Sequence, residues 1–180
     1  MKQIRIHGRG GQGVVTAAEL IAIGAFKAGH MAQAFPAFGV ERTGAPIEAY
    51  ARIDDKEIKI REQVQNPDIL VIQDASLIGA IDLTRGCNDK TIAIINTAKD
   101  KSEIELNLPK ENIFTVDATK IALKNLGKNI VNTTILGAFA RDTGLLNLEA
   151  LKEAIREKFA DKGEAIINKN IKAIEEAYNN

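Results

Sequence analysis

The chain has 180 residues with 24 basic and 24 acidic side chains, so its formal net charge is zero. That balance excludes the sequence-wide basic face on which nucleic-acid binding rests. Hydrophobic residues make up 45% and charged residues 27%, enough apolar surface for a packed core and against disorder. One cysteine, Cys87, has no internal disulfide partner and cannot by itself supply the roughly four ligands an iron–sulfur cluster takes.

In chain order, Lys2 to His7 alternates as a short strand. Gly13 to Ala28 follows as a helix, apolar on almost every side and interrupted only by Glu19 and Lys27, with Gly29 as its stop. Such a helix is buried on more than one face, against a sheet and against something else. Met31 to Pro46 carries two prolines and two glycines, so only a short strand is expected, at its start. Ile47 to Ile53 alternates as a half-buried strand, Asp54-Asp55 turns, and Glu57 to Ile60 is expected to return as a β-hairpin. Ile69–Ile72, Ile92–Ile95 and Ile113–Val116 are unbroken apolar runs, the pattern of strands covered on both faces. Helices are expected at Ser76 to Leu83, Asp117 to Leu126, Thr133 to Arg141, Leu148 to Phe159 after an Asn147 cap, and Gly163 to Tyr178. Alternating strands and helices predict one α/β domain over residues 1–180: a three-layer α/β/α fold with a mixed, mostly parallel sheet, a Rossmann-like glycine-rich first strand–helix turn and an inserted β-hairpin. The polar start Lys2-Gln3-Ile4-Arg5 does not fit a signal peptide, and no long apolar stretch occurs. The expectation is a cytoplasmic protein without membrane contact.

Gly8, Gly10 and Gly13 satisfy G-x-G-x-x-G between a strand and a helix. Without side chains, backbone N–H groups approach phosphate oxygens, and the helix start adds partial positive charge. Arg9 can add a charge-assisted contact, and Gln12 a neutral donor and acceptor. A dinucleotide site also wants an acid about 20 residues on, for the ribose, and Lys27 to Val40 contains none. No Lys-Ser or Lys-Thr closes the loop as a P-loop would. Two readings stay open: contact with the phosphates of some other ligand, and a tight turn that serves strand–helix packing alone. His7 and His30 lack metal-ligand spacing, so no metal site and no catalytic residue are assigned.

The glycine loop together with "FPAFGVERTGAP" resembles the gamma subunit of the pyruvate:ferredoxin oxidoreductase (pyruvate synthase) family of 2-oxoacid:ferredoxin oxidoreductases, over residues 3 to 54 in particular. The form of the second motif is more like the pyruvate and branched-chain 2-oxoacid types than the 2-oxoglutarate type. The resemblance implies a hetero-oligomer with alpha, beta and delta subunits. It would oxidatively decarboxylate pyruvate to acetyl-CoA and pass electrons to ferredoxin, or run in reverse. It implies thiamine diphosphate, magnesium and iron–sulfur clusters on the partner subunits, and a gamma subunit concerned with assembly and with coenzyme A. Carried onto this chain, Gly8, Arg9, Gly10, Gly11, Gln12 and Gly13 become candidate contacts to coenzyme A phosphates. The rival functions are a self-sufficient dinucleotide oxidoreductase and a stand-alone protein binding a phosphorylated ligand.

Phe35, Pro36, Phe38, Glu41, Arg42, Gly44 and Pro46 read as a subunit-docking segment, since aromatics around an arginine suit interface cores. Against this stands the reading in which Phe35 and Phe38 plug the chain's own core. Asp74, Asn96 and Asp117 end three strands and could line a ligand crevice or simply cap helices, with Asp117 expected to cap. Cys87 is expected to be inert.

Overall fold

The computed structural model describes residues 1–37 and 43–180. Among these, six strands form one sheet in the order β2-β3-β1-β4-β5-β6. The strands are β1 (Lys2–Arg9), β2 (Met31–Pro36), β3 (Pro46–Asp54), β4 (Ile69–Ile72), β5 (Ile92–Asn96) and β6 (Ile113–Val116). The helices are α1 (Val14–Lys27), α2 (Ala118–Leu126), α3 (Val131–Thr143), α4 (Leu148–Lys158) and α5 (Glu164–Asn179). β1, β4, β5 and β6 run parallel, whereas β3 is antiparallel to both β1 and β2. The α/β class and the mixed, mostly parallel sheet agree with the sequence pattern.

Alternation sorts the two faces. Ile4, Ile6, Ala49, Ala51, Val71 and Ile94 meet the buried sides of all five helices in one apolar core. α3 is its central rod, buried from Val131 to Ala140. Gly137 lets α5 approach so closely that an added Cβ would lie 2.9 Å from the Ala177 Cβ. α1 is buried through Ala17, Ala18, Leu20, Ile21 and Ala25, against the sheet and its neighbouring helices, while Phe26 is exposed.

The opposite face is covered by connecting segments and 3-10 turns; among the described residues no α-helix packs there, so the second helical layer of the expected α/β/α arrangement is replaced by this cover. Over β4–β6, Leu77, Leu83 and Ile104 pack on Leu70, Ile72, Ala93, Ile95 and Ile113. Over β1–β3 the cover is polar, and Arg5, His7 and Arg52 are all fully buried there.

Two expected elements differ. Glu57–Ile60 does not return as a strand: β3 already has β1 on one edge and β2 on the other, so neither edge is open. The hairpin is instead β2–β3, with Met31 opposite Asp54 and Pro36 opposite Ala49. The segment after β3 folds over the second face, where the Ile60 and Glu62 carbonyls accept from Arg52. Likewise, Ser76–Leu83 is not an α-helix. A single 3-10 turn, Ala75–Leu77, gives way at Gly79, whose φ of +79° breaks the helix; Leu77 and Leu83 are buried in the core, with Ile78 and Ile81 packed partly against it. Among the described residues no helix is long and apolar enough to cross a membrane.

Candidate functional site

The connections diverge between β1 and β4: β1 leads through α1 toward the β2–β3 edge, and β4 leads toward β5 and β6. In open α/β sheets such a switch point leaves a crevice beyond the carboxyl ends of the strands. Here it is a cavity of about 320 Å³ lined by Gly11, Gln12, Gln73, Asp74, Asn96 and Thr119, among others.

The glycine loop forms one wall. Gly13 has φ +69° at the entry to α1, and a Cβ there would strike the Asn132 side chain. A Cβ on Gly8 would sit 2.6 Å from Val14 Cγ2 and 3.4 Å from Gln73 Oε1. Gly13 is therefore required by packing as well as by backbone conformation, and Gly8 by packing alone.

A polar clasp holds the loop to the end of β4. The Arg9 backbone N–H donates to Gln12 Oε1 (2.7 Å), and Gln12 Nε2 donates to Asp74 Oδ2 (2.9 Å). Arg9 Nε reaches the same carboxylate oxygen at 3.2 Å, Nη2 donates to Ser76 Oγ at 2.8 Å, and Nη1 to the Gly44 carbonyl at 3.0 Å. Burial pushes the Asp74 carboxyl up, but hydrogen bonds from Ser76 and Gln12 and the Arg9 charge outweigh it and hold the group below its ordinary value. Asp74 also caps the 3-10 turn, accepting from the Ser76 N–H at 3.0 Å.

The loop is half committed to its own fold. The Gly10 N–H donates to Ala45 O (2.9 Å) and the Gln12 N–H to Arg9 O (3.0 Å). Among the described residues nothing accepts from the N–H of Gly11 or Gly13. The six loop residues expected to act together are thus adjacent in space, with the Arg9 guanidinium already occupied.

The floor carries what sequence reading did not single out. Gln73 is 1% exposed, and neither Nε2 nor Oε1 has a partner among the described residues. Asn132 Oδ1, beside Gly13, is likewise unpaired. Buried carboxamides in that state are rare. The available signal was position alone: Gln73 is the first polar residue after the apolar β4 run. Asn96 joins the strand ends, donating to Gln73 O (2.9 Å) and accepting from the Thr119 N–H (3.1 Å). Asp117 stands apart as the cap of α2, accepting from the Lys120 N–H.

Of the expected docking residues, Phe38, Glu41 and Arg42 lie outside the described residues. Phe35 is half-buried in β2, its ring 5.2 Å from that of Tyr50 and 5.1 Å from the Arg52 guanidinium carbon. Pro36 ends β2, Pro46 begins β3, and exposed Gly44 turns between them with φ +80°. Cys87 is half-buried and its thiol is pushed up, chiefly by burial. Among the described residues, no cluster of His, Cys, Asp or Glu is placed to hold a metal ion.

The family model for pyruvate ferredoxin/flavodoxin oxidoreductase matches residues 3–180. The common gamma subunit of the pyruvate/ketoisovalerate oxidoreductases of Thermococcus kodakarensis is 52% identical, over 99% of this chain and 96% of its own. The crystal structure of pyruvate oxidoreductase subunit PORC from Thermotoga maritima superposes with a TM-score of 0.83 at 37% identity, over 99% of this chain and 95% of that one. A 2-oxoglutarate:ferredoxin oxidoreductase from Magnetococcus marinus, solved with 2-oxoglutarate, coenzyme A and succinyl-CoA bound, shares the fold. Its TM-score is 0.72 at 20% identity, over 98% of this chain and 30% of that longer one. A mixed α/β sheet, a glycine loop at the switch point and similarity over residues 3–180 lead to one assignment: the chain belongs to the pyruvate ferredoxin/flavodoxin oxidoreductase family, among its gamma subunits.

Proposed function

We propose that this chain works in a cytoplasmic pyruvate synthase complex with alpha, beta and delta partners, contributing assembly surface and part of the coenzyme A site. The complex converts pyruvate, coenzyme A and oxidised ferredoxin to acetyl-CoA, carbon dioxide and reduced ferredoxin, or runs in reverse. Thiamine diphosphate, magnesium and the iron–sulfur clusters belong to the partner chains in this reading. The observation that carries it is the switch-point crevice, with the Gly8–Gly13 loop as a wall and, as its floor, a buried Gln73 that is unpaired among the described residues. Coenzyme A fits it chemically, because the carrier combines phosphates with neutral hydrogen-bonding groups and needs no ribose-reading acid. The bound coenzyme A named for the Magnetococcus marinus enzyme, one region of which shares this fold, supports the same direction.

Reconstitution of the complex with and without this chain tests the proposal. Acetyl-CoA formation should depend on the chain. Arg9→Ala should raise the coenzyme A concentration needed without releasing the subunit, because it loosens the clasp between the loop and Asp74. Unchanged coenzyme A dependence together with full activity in the chain's absence would end the reading.

A second reading, a branched-chain 2-oxoacid complex, has a specific support. The Thermococcus kodakarensis relative is described as common to pyruvate and ketoisovalerate oxidoreductases. A shared gamma subunit fits a chain to which no catalytic residue is assigned, with substrate choice left to its partners. Assaying the native complex with pyruvate against 2-oxoisovalerate separates the two.

A further inference from the structure

We infer that the outer groove between α2 and α5 is a second docking surface, which receives an acidic, apolar-centred face of another protein subunit. The inference rests on the proposed place of this chain in a multi-subunit complex. It adds that the chain bridges two partners. The groove lies at the β6 end of the sheet, whereas the segment from Phe35 to Pro46 lies at the β2–β3 end.

Hydrogen bonds place the helices. Lys124 Nζ and Asn125 Nδ2 both donate to the Glu176 carboxylate, at 2.9 Å each, so α2 lies against the end of α5. Lys120, earlier in α2, shares a cavity with Asn180, so the two helices run antiparallel. On α5, Lys169 and Lys172 share the ridge of Glu176 at helical spacing, and that ridge is the one turned toward α2. On α2 the uncovered face carries Lys120, Leu123 and Lys124, while Ile121 and Ala122 are buried. The chain then leaves α2 through exposed Lys128 and Ile130. Thr133 of α3 meets Asn170 of α5, and Arg141 meets Ala177, so these two helices are parallel. Ile130 precedes Thr133 and Ile166 precedes Asn170, so both isoleucines sit at the same end of that pair.

Charge pairing is uneven across the helical layer. On the α1 and α4 side, Lys27 pairs with Glu157, Lys158 with Glu19, and Lys152 with Glu149 and Glu175. Along the α2–α5 groove only Lys124 has a carboxylate partner among the described residues. Lys120, Lys128, Lys169 and Lys172 are exposed and form no ion pair among those residues. The chain as a whole is neutral, so this face holds a local excess of positive charge. Leu123, Ile130 and Ile166 are exposed among the same lysines. A solvated helix face accounts for the charges but gives no use for the three aliphatics. Apolar side chains within a charged rim suit a protein interface, and complementarity selects an acidic partner. Glu176 in the groove opposes a uniformly anionic surface such as nucleic acid or a phospholipid bilayer, whereas a protein face can set a donor opposite it.

The test uses the reconstituted complex carrying Lys169→Glu with Lys172→Glu, and separately Leu123→Ser. Lys90→Glu, at an exposed lysine outside the groove, is the charge control. All four positions are exposed, and circular dichroism with thermal unfolding establishes that each variant is folded. Gel filtration over a dilution series reads the affinity of the chain for its partners. In about 0.1 M salt the double reversal should weaken association about ten-fold or more, and Lys90→Glu less than about two-fold. Raising the salt to about 0.5 M should bring wild-type association toward that of the double reversal, because exposed charges are screened. Leu123→Ser should weaken association and keep the wild-type salt dependence. Equal association and equal salt dependence in wild type and double reversal overturn the inference, since the groove would then be a solvated face. Binding of the wild-type chain to duplex DNA or phosphatidylserine vesicles, abolished by the double reversal while assembly is unchanged, overturns it too. Co-elution with a thiamine-dependent partner that persists unaltered in both variants removes only this inference, whereas a chain that never co-elutes with such a partner removes the proposed function as well.

Discussion

His7 shows how a single buried side chain sets a pH limit. It is 0% exposed, on the polar face of β1, and Arg5 Nε donates to its Nε2 at 3.1 Å. That bond requires an unprotonated Nε2, so the ring is the neutral Nδ1–H tautomer. Glu48 lies 3.8 Å from Nδ1, too far for a hydrogen bond, and its attraction for an imidazolium is outweighed. Burial first, and then the Arg5 and Arg85 charges, bring the pKa down from 6.5 to about 4. The folded value lies below the unfolded one, so the unfolded chain binds the extra proton between them. Stability from this group is therefore complete above about pH 6.5 and is lost as the pH falls toward 4, by up to about 3 kcal/mol. Urea unfolding at pH 7 and at about pH 4.5 should show that loss, and His7→Gln should flatten most of it. An equal slope in wild type and variant would assign the effect to other groups.

At the scale of elements, the contact between α3 and α5 is the tightest feature of the helical layer. A Cβ on Gly137 would collide with Ile174 O of α5, a backbone atom that cannot rotate away. Gly137→Ala should therefore destabilise the chain by about 1–3 kcal/mol, despite its gain in helix propensity. Thermal unfolding measures this, and an unchanged or raised midpoint would show that α5 can shift at no cost. Next to this glycine the interface is apolar, but Thr133 Oγ1 donates to Asn170 Oδ1 at 2.7 Å and fixes the register of the two helices. The start of α4 is held by its own residues, Asn147 Oδ1 accepting from the Ala150 N–H at 2.8 Å. Asn147→Ala should lower stability by about 1 kcal/mol in chemical denaturation, with coenzyme A dependence of the assembled complex unchanged.

For the whole molecule the testable consequence is assembly. Phe38→Ala with Arg42→Ala is expected to release the subunit from its complex while its circular dichroism and melting point stay near wild type, because interface anchors of this kind act on binding more than on folding. Co-elution of the doubly substituted chain with its partners would disprove docking through that segment. Phe35 packs on Tyr50 and Arg52, so Phe35→Ala should lower stability.

Local chemistry made most of the elements readable from the chain: unbroken Ile and Val runs for β4, β5 and β6, the Asp117 and Asn147 caps, and Gly127 with φ +70° closing α2. The glycine loop was equally visible, since strand, turn and helix follow one another within Lys2–Lys27. The Glu57–Ile60 return strand was not decidable, because strand pairing depends on which edge of β3 is open, and that depends on β1 and β2. Nor could sequence show that Arg9 and Gln12 are bound to Asp74, more than 60 residues away. Gln73 is the sharpest case. Its residue type is ordinary, and only the folding of β1, β4 and α1 around one point leaves its amide buried without a partner among the described residues. Periodicity and capping act over a few residues and are written along the chain, whereas burial and pairing are properties of groups that meet only once it has folded.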